Sequence, residues 1–189
     1  MSNSRVSSHG ASGGVAVTPS MSASAIVAKA ASGSHVLKID GYSRTKGLGV
    51  GKFITSRSFQ VGGPRWCLRY YPDGHYNTTA YDNSISIVLC LDPSEAGEVR
   101  AEYKISLLDK EGHPVPPYAR EIRPCWAFSG KREPPVSKLF IAKAELESLP
   151  YLKDDAFSVR CDITVVMDIV TEDLVIPSAE RGIKKETFS

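Results

Sequence analysis

In the run Arg65-Trp66-Cys67-Leu68-Arg69-Tyr70-Tyr71, a cation and a phenol are interleaved with bulky apolar residues, and Pro72-Asp73-Gly74 follows at once. Alternation sends successive side chains to opposite faces of a strand, and Pro followed by Asp-Gly supplies the fixed φ and the positive φ that a turn needs. Trp66, Leu68 and Tyr70 therefore share one face, and Cys67, Arg69 and Tyr71 share the other. An arginine and a tyrosine on one exposed strand face make a surface that can bind a partner. Other residues suggest different chemistry and fall short of it. Gly47-Leu48-Gly49-Val50-Gly51-Lys52 invites a phosphate-cradling reading. Such a loop must open a helix whose N-terminus faces the anion, whereas this one leads into a strand pattern with no Ser or Thr after Lys52, so a hairpin loop is expected. His9, His35, His75 and His113 are dispersed without metal-ligand spacing, and no nucleophile elbow or Cys-His pairing is visible. Asp92, Glu95, Asp154 and Asp155 read as turn residues, too few for the oxygen set of a calcium loop. No catalytic residue, metal ligand or cofactor is expected, and the chain does not read as an enzyme.

The formal net charge of +2, from 23 basic and 21 acidic residues in a chain of 189, supplies no concentrated basic face for nucleic acid. No apolar run approaches the roughly 18 residues a membrane-spanning helix needs, and the N-terminus lacks a secretory pattern. The four cysteines, Cys67, Cys90, Cys125 and Cys161, show no C-x-x-C spacing. Three of them sit in apolar strand-like runs, which points to buried free thiols in a reducing compartment, the cytoplasm or the nucleus.

The elements that position these residues are mostly strands. Residues 1–34 are rich in Ser, Ala and Gly and read as a flexible tail. Strand patterns follow at His35–Tyr42, Lys52–Val61, around Trp66, at Ile85–Leu91, Val99–Leu108, Ile122–Phe128 and Phe157–Met167. Ile85–Leu91 is apolar throughout, the mark of a central strand buried on both faces. Ile141–Leu149 alone looks helical, stopped by Pro150. Short strands with frequent turns and one stub helix predict an all-β antiparallel sandwich over residues 35–168, with a linker remnant and charged tail at 169–189.

His35-Val36-Leu37-Lys38-Ile39-Asp40-Gly41-Tyr42-Ser43, Val50-Gly51-Lys52, Val61-Gly62-Gly63, Trp66, Tyr71-Pro72-Asp73-Gly74, Val99-Arg100-Ala101, Phe140-Ile141 and Leu152-Lys153-Asp154-Asp155 occur in that order. Together they resemble a MATH domain, in particular that of the plant MATH-BTB proteins of the grass-type group, over about His35 to Asp173. The resemblance implies an eight-stranded antiparallel sandwich of the TRAF-like type. It also implies a function: capture of protein substrates, through short extended peptides, for a cullin-RING ubiquitin ligase. In the family the cullin scaffold is reached through a BTB domain, which is absent from these residues, so the chain alone is expected neither to dimerise through BTB nor to reach the cullin. A TRAF-like scaffold module with no ligase link is the alternative. Carried over residue by residue, the groove would take Arg69 and Tyr103, with Trp126 as a further aromatic and Val88 where the family has one. Lys131 and Arg132 would be polar contacts. Glu133-Pro134-Pro135-Val136 replaces the Trp-Gly-aromatic element of the family, which implies a different peptide preference.

Overall fold

The computed structural model describes residues 21–75, 83–130 and 140–175. The chain divides into two compact units, one of them Ala28–Val170 and the other formed by the segments before and after it. In the smaller unit the Leu174 N–H donates to the Ala23 carbonyl at 3.0 Å.

Two sheets build the fold. Among the described residues one has the order β1-β9-β6-β7 and the other β2-β4-β5-β8, with β3 also paired to β4. The first takes β1 (Ser24–Asp40), β6 (Glu98–Leu108), β7 (Pro114–Ser129) and β9 (Ala156–Asp173). The second takes β2 (Ile54–Thr55), β3 (Phe59–Gln60), β4 (Arg65–Tyr71), β5 (Ser84–Leu91) and β8 (Ile141–Ala142). Both β2 and β3 lie against the same edge of β4, so the two stubs share one place beside it. The fold is thus the expected antiparallel β-sandwich.

Alternation decides what lies between the sheets. Trp66, Leu68 and Tyr70 of β4 are buried together with Ile87, Leu89 and Leu91 of β5, Ala101, Tyr103, Ile105 and Leu107 of β6, and Phe157, Val159, Cys161, Ile163 and Val165 of β9. Phe128 joins them, its ring edge-on to Trp66 at 5.2 Å and to Tyr103 at 5.9 Å. The buried indole would be costly without an acceptor, and Trp66 Nε1 donates to the Val61 carbonyl at 3.1 Å. Gly62 must be glycine here. Its φ is +66° and an added Cβ would come within 2.8 Å of Val165. As expected, every residue of β5 is buried.

Several elements differ from the sequence reading. β1 begins at Ser24, inside the stretch expected to be a flexible tail, because membership of the β1-β9-β6-β7 sheet supplies what its small side chains lack. β9 likewise continues to Asp173, past the expected end of the last strand. β7 runs over Pro114–Ser129, more than twice the expected length, although Pro114, Pro116 and Pro117 carry no N–H. As an edge strand it tolerates them. A four-residue helix, α1 (Tyr42–Thr45), was not anticipated. Distant residues hold it. The Tyr42 N–H donates to the Asp155 carbonyl at 2.8 Å, and the Ser43 N–H and hydroxyl donate to the Asp155 carboxylate at 2.8 and 2.7 Å. The second helix, α2 (Lys143–Ser148), falls within the expected stretch.

Candidate functional site

The outward face of the β2–β4–β5 ladder is built in rows. The register places Thr55 beside Arg69, and Arg69 beside Val88. One row away Tyr71 pairs with Ser86, and on the other side Cys67 pairs with Cys90. Phe53, one residue before β2, continues the register and packs on Tyr71 with ring centroids 5.3 Å apart. The Arg69 guanidinium lies over the Phe53 ring at 4.5 Å. The His75 ring meets the other side of this cluster, edge-on to Tyr71 at 4.4 Å. Cys67, Tyr71, Val88 and Cys90 form a small apolar cluster of their own, separate from the inter-sheet core. Phe53 stays 42% exposed and Arg69 is partly exposed, so both reach the surface above a packed floor.

The glycine-rich loop places Phe53. Gly47 and Gly49 have φ of +77° and +106°, which turn their amides toward Asp73. The Gly49 N–H donates to the Asp73 carboxylate at 2.7 Å and the Gly47 N–H at 3.3 Å. Lys143 of α2 completes the clamp as an ion pair in which both side chains are largely buried. Burial works against the charge on Asp73, but Lys143 and the two amides outweigh it and hold the carboxyl below its ordinary value. The loop does cradle an anion, and the anion is the chain's own. The Gly51 N–H donates to the Gly74 carbonyl at 2.9 Å, pinning the loop to the Pro72-Asp73-Gly74 turn one step before Phe53.

The acidic turns are equally structural. Asp92 accepts from the Ser58 hydroxyl and from the Ser94 N–H at 2.9 Å, contacts that lower its carboxyl to about 2. Asp155 caps α1, as described above. Among the described residues no cluster of His, Cys, Asp and Glu is arranged to hold a metal ion.

The six residues expected to line a groove are placed as follows. Arg69 and Val88 are cross-strand partners, with Arg69 accessible and Val88 fully buried in the floor. Tyr103 does not line an open furrow. It is 3% exposed and sits between the sheets against Phe128, where burial raises its hydroxyl well above the ordinary value. The odd-numbered residues of β6 all turn inward, and Tyr103 follows them. Trp126 is 43% exposed and lies on β7, in the other sheet from Arg69. Lys131 and Arg132 lie outside the described residues. Sequence reasoning missed Phe53. The signal was present in the alternation of Phe53, Thr55 and Arg57, but only the pairing with β4 shows which side is outward.

The chain is similar to known proteins in sequence and in fold. Residues 34–163 match the MATH domain family. Among curated relatives, BTB/POZ and MATH domain-containing protein 6 of Arabidopsis thaliana is 36% identical over 155 residues, 75% of this chain and 35% of that protein. Protein 5 of the same name and organism is 33% identical over 82% of this chain and 40% of its own length, and protein 4 is 34% identical over 87% and 37%. The chain thus spans between 35% and 40% of the length of these relatives. Among solved structures, TRAF5 of Notothenia coriiceps superposes with a TM-score of 0.52 at 18% identity, covering 69% of this chain and 72% of that one, a likeness of fold. With the family match extending over most of a sandwich of this topology, the chain belongs to the MATH domain family.

Proposed function

We propose that the chain is a protein-interaction module that captures extended peptide segments of other proteins, and that it serves as the substrate-recognition part of a cullin-RING ubiquitin ligase adaptor. The observation that carries the binding reading is the Arg69–Phe53 stack, held open on the outward face of β4 above a packed floor. Arginine and aromatic residues dominate the energetics of protein recognition. Here their positions are set in advance by the ladder register and the Asp73 clamp, so little ordering cost remains for binding. An aromatic ring beside a cation fits a segment that presents an apolar side chain next to a hydrogen-bond acceptor. Trp126 is exposed on β7, in the other sheet from this stack, and offers a separate aromatic surface. The ligase link is supported by relatives whose names join BTB/POZ to MATH. In this reading cullin contact belongs to a BTB domain and peptide capture to the sandwich.

A peptide-array screen with the chain, followed by fluorescence titration of the best peptide, tests the reading. Arg69→Ala and Phe53→Ala are each expected to weaken binding by at least about 2 kcal/mol, roughly 30-fold, as interface hot spots do. Unchanged affinity in both variants, with the fold intact by circular dichroism, overturns it.

A further inference from the structure

Cys67 and Cys90 are direct partners in the β4–β5 ladder, both reduced thiols, both in the small outward-face cluster, and only 4% and 3% exposed. The type of pairing follows from their neighbours. Two positions along, the Asp92 N–H donates to the Arg65 carbonyl at 3.0 Å, which marks 65 and 92 as a hydrogen-bonded pair. Leu68 turns its carbonyl and N–H to the opposite side, toward Ser56 at 2.8 and 2.9 Å. Since ladder pairs alternate, Cys67 and Cys90 are also a hydrogen-bonded pair, with Cα atoms about 5.5 Å apart. That separation lies inside the range of roughly 4.4–6.8 Å usual for the Cα atoms of a disulfide. The other cysteines are elsewhere, Cys161 between the sheets and Cys125 on β7.

We propose that Cys67 and Cys90 are a redox-modification site that closes reversibly into a cross-strand disulfide under a peroxide oxidant. The attacking sulfur is Cys67. A hydrogen bond with the Cys90 thiol outweighs the effect of burial and, with the charge of Arg69, holds the Cys67 thiol below its ordinary value. The Cys67 thiolate attacks one peroxide oxygen, an S–O bond forms, the O–O bond breaks, and the departing hydroxide takes a proton to leave as water. Cys90 Sγ then attacks Cys67 Sγ, the S–S bond forms, the S–O bond breaks, and the hydroxide released takes the Cys90 proton as a second water. Two thiols lose two electrons in total and one peroxide gains them. The crosslink sits one ladder row from Arg69 and Val88 and encloses the Pro72-Asp73-Gly74 turn. It therefore stiffens the floor of the outward face and constrains the unfolded chain.

The test needs no peptide ligand, so its outcome is independent of the proposed function. The full chain, at low micromolar concentration, is treated with hydrogen peroxide, unfolded, alkylated and mapped by mass spectrometry. The expected result is loss of two alkylatable thiols, recovery of a Cys67–Cys90 linked peptide, reversal by dithiothreitol, and a higher Tm for the oxidised chain. Cys125→Ser is expected to behave as the parent. Cys90→Ser is expected to give a Cys67 sulfenic acid that dimedone traps. Recovery of Cys67 and Cys90 in alkylated form, links formed only between chains, or loss of two thiols in Cys90→Ser would each overturn the proposal.

Discussion

The two faces of the β4–β5 ladder share one backbone and have opposite fates. Inward, Trp66, Leu68 and Tyr70 belong to one continuous core with residues of every long strand. Outward, Cys67, Tyr71, Val88 and Cys90 form a thin cluster beneath a partly exposed cation and aromatic ring. The inward face stabilises the fold. The outward face buries only this small cluster and leaves Phe53 and Arg69 partly accessible above it. A strand whose side chains alternate can do both, because each face answers to a different neighbour.

Substitutions can break or sharpen this contrast. The largest effect belongs to the inward face. Trp66→Ala removes a fully buried ring that touches Phe128 and is expected to cost about 4 kcal/mol, measured by urea unfolding. A loss below 1 kcal/mol would mean that the inward face is not the main source of stability. Asp73→Ala comes next, at about 3 kcal/mol, because it leaves Lys143 largely buried without its partner. The same carboxyl predicts a pH dependence. Its value is lower in the folded chain, so its contribution is complete above the ordinary carboxylate range and disappears as the pH falls through the folded value. Asp73→Asn should flatten that part of the acid limb in a pH series of unfolding curves. Equal slopes in parent and variant would show that the clamp does not couple to protonation. Phe53→Ala should be the mildest for stability, at about 1 kcal/mol or less, since the ring is already substantially exposed and its cation contact is a surface one. A cost as large as that of Trp66→Ala would erase the distinction between the faces.

How much of this was legible in the sequence depends on what holds each element. The inward set of β4, the alternation of β6 and β9 and the double burial of β5 follow from side-chain type alone, and all were read correctly. The small side chains of Ser24 to Ser34 predict a tail, because strand pairing, and no bulky side chain, makes the segment β. α1 was invisible because its stabilising contacts come from Asp155, more than a hundred residues away. For the candidate site, Arg69 was legible from alternation, as was its place beside Tyr71. Tyr103 was carried over by resemblance, and its inward turn follows from the same alternation, which the resemblance had overridden. Phe53 needed the Gly51–Gly74 hydrogen bond that sets its loop against the turn.

Among the described residues β7 is the outer strand of its sheet, and Pro114, Pro116 and Pro117 interrupt its row of amide donors. A border with such gaps cannot zip continuously onto another extended chain. Runaway stacking of copies is discouraged there, and a guest segment laid along this rim would have to be discriminated by what its side chains fit rather than by main-chain pairing that any sequence could supply.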